Sequence, residues 1–103
     1  MARPLRMEVE GGWFHITSRG QNKDRIFLDL PDAMNFATRL AELPERFGVE
    51  VHGYVMMPNH YHLLLRTPHG GLSRAVQWLN TGYSIWWNNR HERVGHVFQG
   101  RFK

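Results

Sequence analysis

The sequence predicts an α+β fold of the ferredoxin-like, split βαβ kind: an antiparallel sheet carrying two helices, in the order strand-helix-strand-strand-helix-strand. Three observations predict it. Short runs rich in aromatic and β-branched residues alternate with two longer stretches of helical periodicity. A single Pro58-Asn59 pair separates two of the strand-like runs, which fits an antiparallel hairpin. The chain has 103 residues, 42% hydrophobic and 21% charged. That suits one globular domain, burying roughly two thirds of the unfolded surface. The usual sheet of this pattern sets the first and third strands side by side at its centre.

In chain order, Gly11-Gly12 leads into Trp13-Phe14-His15-Ile16-Thr17-Ser18, read as a first strand. Arg19 to Asp24 is a polar, basic turn, and Ile26-Phe27-Leu28 a short apolar piece. Pro31-Asp32 opens a helix expected to reach Phe47. Proline suits a first turn, and Ala33, Phe36, Ala37, Leu40 and Ala41 or Leu43 form a stripe. Pro44 should break or kink the last turn, and Gly48 should end it. Val49–Met56 and His60–Thr67 read as the second and third strands. After the loop Pro68-His69-Gly70-Gly71, a second helix runs from Leu72 to Asn89. Leu72, Val76, Leu79, Tyr83 and Trp86 or Trp87 share one side of it, and Gly82 weakens it locally. Val97–Lys103 is expected as a fourth strand.

Composition excludes several classes. There is no cysteine, hence neither disulfide nor thiolate metal site. No run approaches the ~20 apolar residues of a transmembrane helix, and Met1–Arg6 lacks the apolar stretch of a signal peptide. The expected location is therefore cytoplasmic, with no membrane partner. Thirteen Lys and Arg against nine Asp and Glu give a net charge of +4. Nearly all the basic residues are arginine, whose planar fork binds phosphates and stacks on bases. A polyanion, most simply nucleic acid, is the expected partner. The alternative is a merely solvated basic surface.

The residues richest in chemistry are His60 and His62. In a strand they share one face, about 7 Å apart along the chain, with Leu64 continuing their row and Tyr61, Leu63 and Leu65 turned the other way. Two imidazoles on one face of a sheet form a ready pair of metal ligands, and His15 on the neighbouring first strand is a further candidate. Such spacing also arises by chance among seven histidines. Satisfied polar residues at a sheet surface are the plain alternative. Imidazole alone favours Zn²⁺ or Mn²⁺ over Mg²⁺, but phosphate oxygens completing the site would admit Mg²⁺.

Tyr54-Val55-Met56-Met57-Pro58-Asn59-His60-Tyr61-His62-Leu63-Leu64 resembles the motif of the REP-associated tyrosine transposases and their insertion-sequence relatives. These are single-tyrosine HUH endonucleases, in which two histidines flank a bulky residue, here Tyr61. Phe14-His15-Ile16-Thr17-Ser18-Arg19-Gly20-Gln21-Asn22 resembles the family's first strand and turn. Leu72-Ser73-Arg74 resembles the start of its second helix, and Gly95 to Lys103 the segment after it. The resemblance implies DNA transposition by metal-dependent cleavage and rejoining of single-stranded or hairpin DNA through a 5′-phosphotyrosine link. His60 and His62 would hold Mg²⁺ or Mn²⁺.

The resemblance does not supply the nucleophile. In the family the catalytic tyrosine lies on a helix beyond the segment matching Arg101-Phe102-Lys103. Residues 1–103 are therefore expected to be a single domain that stops short of it. Tyr61 should face away from the histidines, and Tyr54 reads as a strand residue. Tyr83 remains as a candidate nucleophile, with core packing as its alternative. Without the tyrosine helix, exposed sheet would favour a homodimer. Arg19, Asn22, Lys23 and Arg25 after the first strand are candidate DNA contacts. So are Arg74 in the first turn of the second helix, and Arg101 and Lys103 in a late basic group with Arg90 and Arg93. Trp78, Trp86 and Trp87 could stack on bases or pack in the core. The competing reading is a non-catalytic nucleic-acid-binding module, indifferent to loss of both histidines. A metal hydrolase is disfavoured because no Asp or Glu lies near the pair in sequence.

Overall fold

Alternation along one strand determines which side of the molecule becomes core. The computed structural model describes residues 11–100 and Phe102. The elements are β1 (Gly12–Arg19), α1 (Leu30–Leu40), α2 (Leu43–Phe47), β2 (Glu50–Met57), β3 (His60–Thr67) and α3 (Leu72–His91), with a 3-10 turn at Gln21–Lys23. The strands form one antiparallel sheet in the order β1-β3-β2, so the first and third strands are neighbours as predicted. In β3, Tyr61, Leu63, Leu65 and Thr67 are buried, while His60, His62, Leu64 and Arg66 are not. Ile16 and Ser18 are the buried counterparts on β1. These inward residues meet Phe36, Leu40 and Leu43 from α1 and α2 and Leu72, Val76, Leu79 and Tyr83 from α3. The helices thus cover one face of the sheet.

Two expectations need correction. The helix expected to reach Phe47 is broken near Pro44, as that proline suggested, but the break is complete and leaves two helices. Proline at position 44 has no N–H to bond to the Leu40 carbonyl and its ring would clash there. Accordingly α1 ends at Leu40, and Pro44 sits in the first turn of α2. Gly48 closes α2 in the left-handed conformation, as predicted. The fourth strand shrinks to one bridge, Gly20 with Phe98, flanked by the bonds Gln21 N–H to Val97 O (2.9 Å) and Gln99 N–H to Arg19 O (2.7 Å). It lies on the free edge of β1, where a fourth strand belongs in this topology. Gly95 and Gly100, both with positive φ, bound that extended piece. Arg101 and Lys103 lie outside the described residues.

Helix α3 is buried through Leu72, Ala75, Val76, Leu79, Tyr83 and Trp87, so of the adjacent tryptophans it is Trp87 that enters the core. Gly82 has a packing reason: a Cβ there would stand 2.6 Å from an Arg39 guanidinium nitrogen. The far ends of α1 and α3 are tied by charge. Asp29 caps α1 by accepting from the Asp32 N–H, and Arg90 grips Asp29 with two bonds of 2.6 and 2.8 Å. Asp32 is fully buried and accepts from Leu28 N–H, Arg90 Nη1 and His91 Nε2. Arg90 is therefore committed to the protein, and it drops out of the basic group expected to reach a ligand. Replacing Asp32 with Ala should lower stability by about 3 kcal/mol, since it strands buried donors and an arginine. Urea unfolding checks this, and an unchanged midpoint would mean the cluster is not what joins the helices.

Candidate functional site

The sheet face away from the helices carries Trp13, His15, Thr17 and Arg19 on β1 and His60, His62, Leu64 and Arg66 on β3. In the register Arg19 pairs with His60, Thr17 with His62 and His15 with Leu64. Both histidines of the motif therefore point to the same open face, as the spacing predicts. Their rings are 5.0 Å apart, edge to face, and His15 stacks on His62 at 5.1 Å with planes 10° apart.

The second nitrogen of each ring determines what the first can do. His60 Nδ1 lies 2.8 Å from Asn59 Oδ1. A carbonyl oxygen only accepts, so Nδ1 carries the proton and Nε2 keeps a lone pair. The Asn59 orientation is itself held, because its Nδ2 donates to Lys23 O at 3.4 Å. His62 Nδ1 lies 3.1 Å from both Thr17 Oγ1 and His15 Nε2, and its Nε2 is the nitrogen left unengaged. Partial burial first, then the neighbouring His60 and His15, hold the His62 pKa below the ordinary histidine value. A neutral ring is the form that binds metal. The three histidines do not converge on one point: among the described residues no group of three or more His, Cys, Asp or Glu side chains is placed to hold a metal ion. His60 and His62 can supply two nitrogens, and His15 stands behind His62 as an orienting partner. This donor set fits a divalent ion whose remaining ligands are oxygens from a substrate or solvent.

The turn that carries the motif is clamped. Met57 pairs with His60 across the two-residue link Pro58-Asn59. The Pro58 carbonyl accepts from Ile26 N–H (2.8 Å) and Phe27 N–H (3.2 Å), and the Asn59 carbonyl from Gly20 N–H (2.9 Å). Gly20 must be glycine, since a Cβ would lie 2.1 Å from the Asp24 carbonyl oxygen. The apolar piece Ile26-Phe27 is thus the brace of the hairpin.

The tyrosines all lie away from the histidines. Tyr61 is buried and donates to Asn80 Oδ1 at 2.5 Å. Tyr83 is buried and donates to Ile26 O at 2.5 Å. Burial pushes both hydroxyls above the ordinary phenol value, and Asp32 and Asp29 add to the effect at Tyr83. Tyr54 is exposed, but it stands opposite Leu63, in the register of the helix-covered face.

Arg19 shares the open face with His60. Asn22, Lys23 and Arg25 are exposed in the loop beside it, with Asn22 and Lys23 in the left-handed region at φ 56° and 62°. Arg74 lies elsewhere: its Cζ is 5.8 Å from the Phe47 ring, on the helix layer, so it is not grouped with the other candidates. Trp78 and Trp86 are half-buried against the core. Sequence reasoning placed Asn59 in the turn without a role. Its position directly before the first histidine was the available signal. It also missed Thr17, two residues after His15 and therefore on the same face.

The family model described as Transposase IS200 like matches residues 8–103. No curated protein sequence matches the chain. Among solved structures, the chain is similar over its whole length to a REP-associated tyrosine transposase bound to a REP hairpin (TM-score 0.77, 16% identity) and spans 60% of that protein's length. It is similar also to a candidate transposase from Deinococcus radiodurans R1 (TM-score 0.71, 17% identity), of which it spans 82%. At these identities the likeness concerns the fold, and it agrees with the α+β sheet and helices described above.

Replacing Tyr83 by Phe should cost about 1 kcal/mol for the lost bond to Ile26 O, with Tyr61→Phe similar. Thermal and urea unfolding would read this. Unaltered stability in both would mean the hydroxyls are not anchored as described.

Proposed function

Since this chain belongs to the IS200-like transposase family, we propose that it binds single-stranded or hairpin DNA on the open face of its sheet and holds Mg²⁺ or Mn²⁺ on His60 and His62. One observation carries the reading. Both imidazoles lie on the same open face with Nε2 left unengaged, because Asn59 and the Thr17–His15 pair meet their Nδ1 atoms. The solved relative that holds a REP hairpin supports DNA as the partner. Arg19, beside His60 in the register, is suited to a phosphate oxygen, and the loop with Asn22, Lys23 and Arg25 extends a basic edge from it. A divalent ion held there supplies Lewis-acid polarisation of a phosphate oxygen.

The reaction in which this site serves is transesterification. A tyrosine oxygen bonds to phosphorus, the P–O3′ bond breaks, and the released 3′-oxygen takes up a proton. Rejoining runs the same steps backward from a 3′-hydroxyl. The attacking hydroxyl is not that of Tyr54, Tyr61 or Tyr83, because all three lie on or within the helix-covered side. That placement also favours a second reading, a nucleic-acid-binding module that cleaves nothing by itself. The two readings differ in whether DNA binding depends on metal and on the two histidines.

The test uses labelled hairpin DNA, with Mn²⁺ and with chelator. Anisotropy should show DNA binding, and denaturing gels should show no covalent adduct formed by this chain. An adduct would mean that one of the three tyrosines attacks. Mn²⁺ titration should be lost in His60→Ala/His62→Ala, and metal binding indifferent to that change would sink the metal site. Asn59→Ala should weaken Mn²⁺ by about 10–100-fold while leaving stability nearly unchanged, because it frees His60 to take the wrong tautomer.

A further inference from the structure

The junction of α2 and α3 carries a cavity of about 460 Å³ on the helix layer, lined by Phe47, Arg74, Gln77, Trp78, Thr81 and Gly82. That volume is in the range of ligand sites. Its apolar floor is two half-buried rings, Phe47 and Trp78, with centroids 5.9 Å apart and planes at 60°. Its charge is arginine. Arg46 Cζ stands 4.7 Å from the Trp78 ring, and Arg74 Cζ 5.8 Å from the Phe47 ring. Arg46 is bonded to Glu42 at 2.8 Å, so its charge is already matched. Arg39 and Arg74 take no carboxylate partner among the described residues.

A glycine brings Arg39 to this place. The Arg39 Nε donates to Asn35 Oδ1 at 2.8 Å, and its Nη1 lies 2.6 Å from where a Cβ on residue 82 would stand. Glycine inside a 20-residue helix gives up stability relative to alanine. Here the missing methyl leaves room for a guanidinium to lie across α3 at the edge of the cavity. Asn35 anchors one side of the fork, and the Nη groups keep their N–H donors for an acceptor from outside.

Such a surface discriminates between polyanions. The Phe47 and Trp78 rings already carry the protein's own guanidinium groups, so nucleobases gain little by stacking there. A phosphate backbone gains nothing from an apolar floor. A protein segment gains from both parts. Its carboxylates fit the planar forks of arginine, and an apolar side chain between them covers the rings. Tryptophan and arginine are the residues that dominate contacts of this kind. We propose that the cavity docks a segment of a partner protein in which carboxylates flank a large apolar side chain, with Arg39 and Arg74 receiving the carboxylates. The cavity is on the helix layer and the histidines are on the open face of the sheet, so this docking is independent of the DNA and metal reading above.

The test is fluorescence anisotropy of a labelled peptide in which glutamates alternate with leucine and phenylalanine. A copy with glutamine for every glutamate and a labelled hairpin DNA are measured beside it. The acidic peptide should bind saturably, and the glutamine copy about tenfold more weakly or worse. Arg39→Met/Arg74→Met keeps the aliphatic bulk and should weaken the acidic peptide by a similar factor, with hairpin DNA binding unchanged. Gly82→Ala leaves both charges in place but pushes the Arg39 tip aside, so it should weaken the peptide as well. Its urea midpoint should not fall, because the new methyl meets only the end of a flexible side chain. Equal binding of the two peptides, or an affinity indifferent to these substitutions, would overturn the docking site. Loss of hairpin DNA binding in the arginine variant would overturn it in favour of a nucleic-acid surface.

Discussion

The outward position of the two histidines depends on Tyr61 being pinned in the core. A strand alternates with a period of two, so a slip of one residue in β3 would bury His60 and His62 and expose Tyr61, Leu63 and Leu65. What forbids the slip is a chain of side-chain bonds through three elements. The Tyr61 hydroxyl donates to Asn80 Oδ1 on α3, and Asn80 Nδ2 donates at 3.2 Å to Ser18 Oγ on β1. The Tyr61 ring packs at 4.7 Å against Phe36 of α1 and at 5.8 Å against Phe98. The residue between the two histidines is therefore large and aromatic for a structural reason, with a polar tip that closes a buried network. Its inward anchoring is what turns the imidazoles outward.

The hairpin turn adds the second constraint. Register fixes which face a side chain takes, but not the torsion of an imidazole about its own bonds. That comes from Asn59 and Thr17, which engage Nδ1 of the two rings. Asn59 in turn is held by a loop whose own geometry depends on Gly20 and on residues in the left-handed region. The site thus rests on a rigid sheet for position and on a loop for tautomer.

Much of this was legible in the residues. The limits of β3, the division of its side chains between faces and the adjacency of β1 to it follow from period-two alternation and the strand order, and the structure reproduces them. Tyr83 as a core residue followed from helical spacing. Other features depend on contacts distant in sequence. The single apolar stripe through residues 33–43 gives no sign that the chain re-aims after Leu40; only the clash of Pro44 with the preceding turn does. The fourth strand read as a strand because Val97 and Phe98 are apolar and extended, yet one bridge forms with β1 and the chain turns at Gly100. Arg90 looked like any exposed cation, because the acids that claim it lie some sixty positions earlier.

The pairing of the arginines separates the charges committed to the fold from those without an acidic partner among the described residues. Arg46 and Arg66 are spent on exposed acidic partners, and Arg90 clamps two helix ends through a buried aspartate. Exposed pairs of the first kind contribute little, so they leave the fold's stability to the core and to the Asp32 cluster. Arg19, Arg25 and Arg93, joined by Lys23, take no such partner among the described residues, and they lie on β1, its following loop and the segment after α3. Net charge alone could not have separated these groups. A polyanion of the kind proposed above would meet these residues without breaking any bond that holds the protein together. Arg74, with no acidic partner among the described residues, is set over Phe47 on the helix layer, away from them.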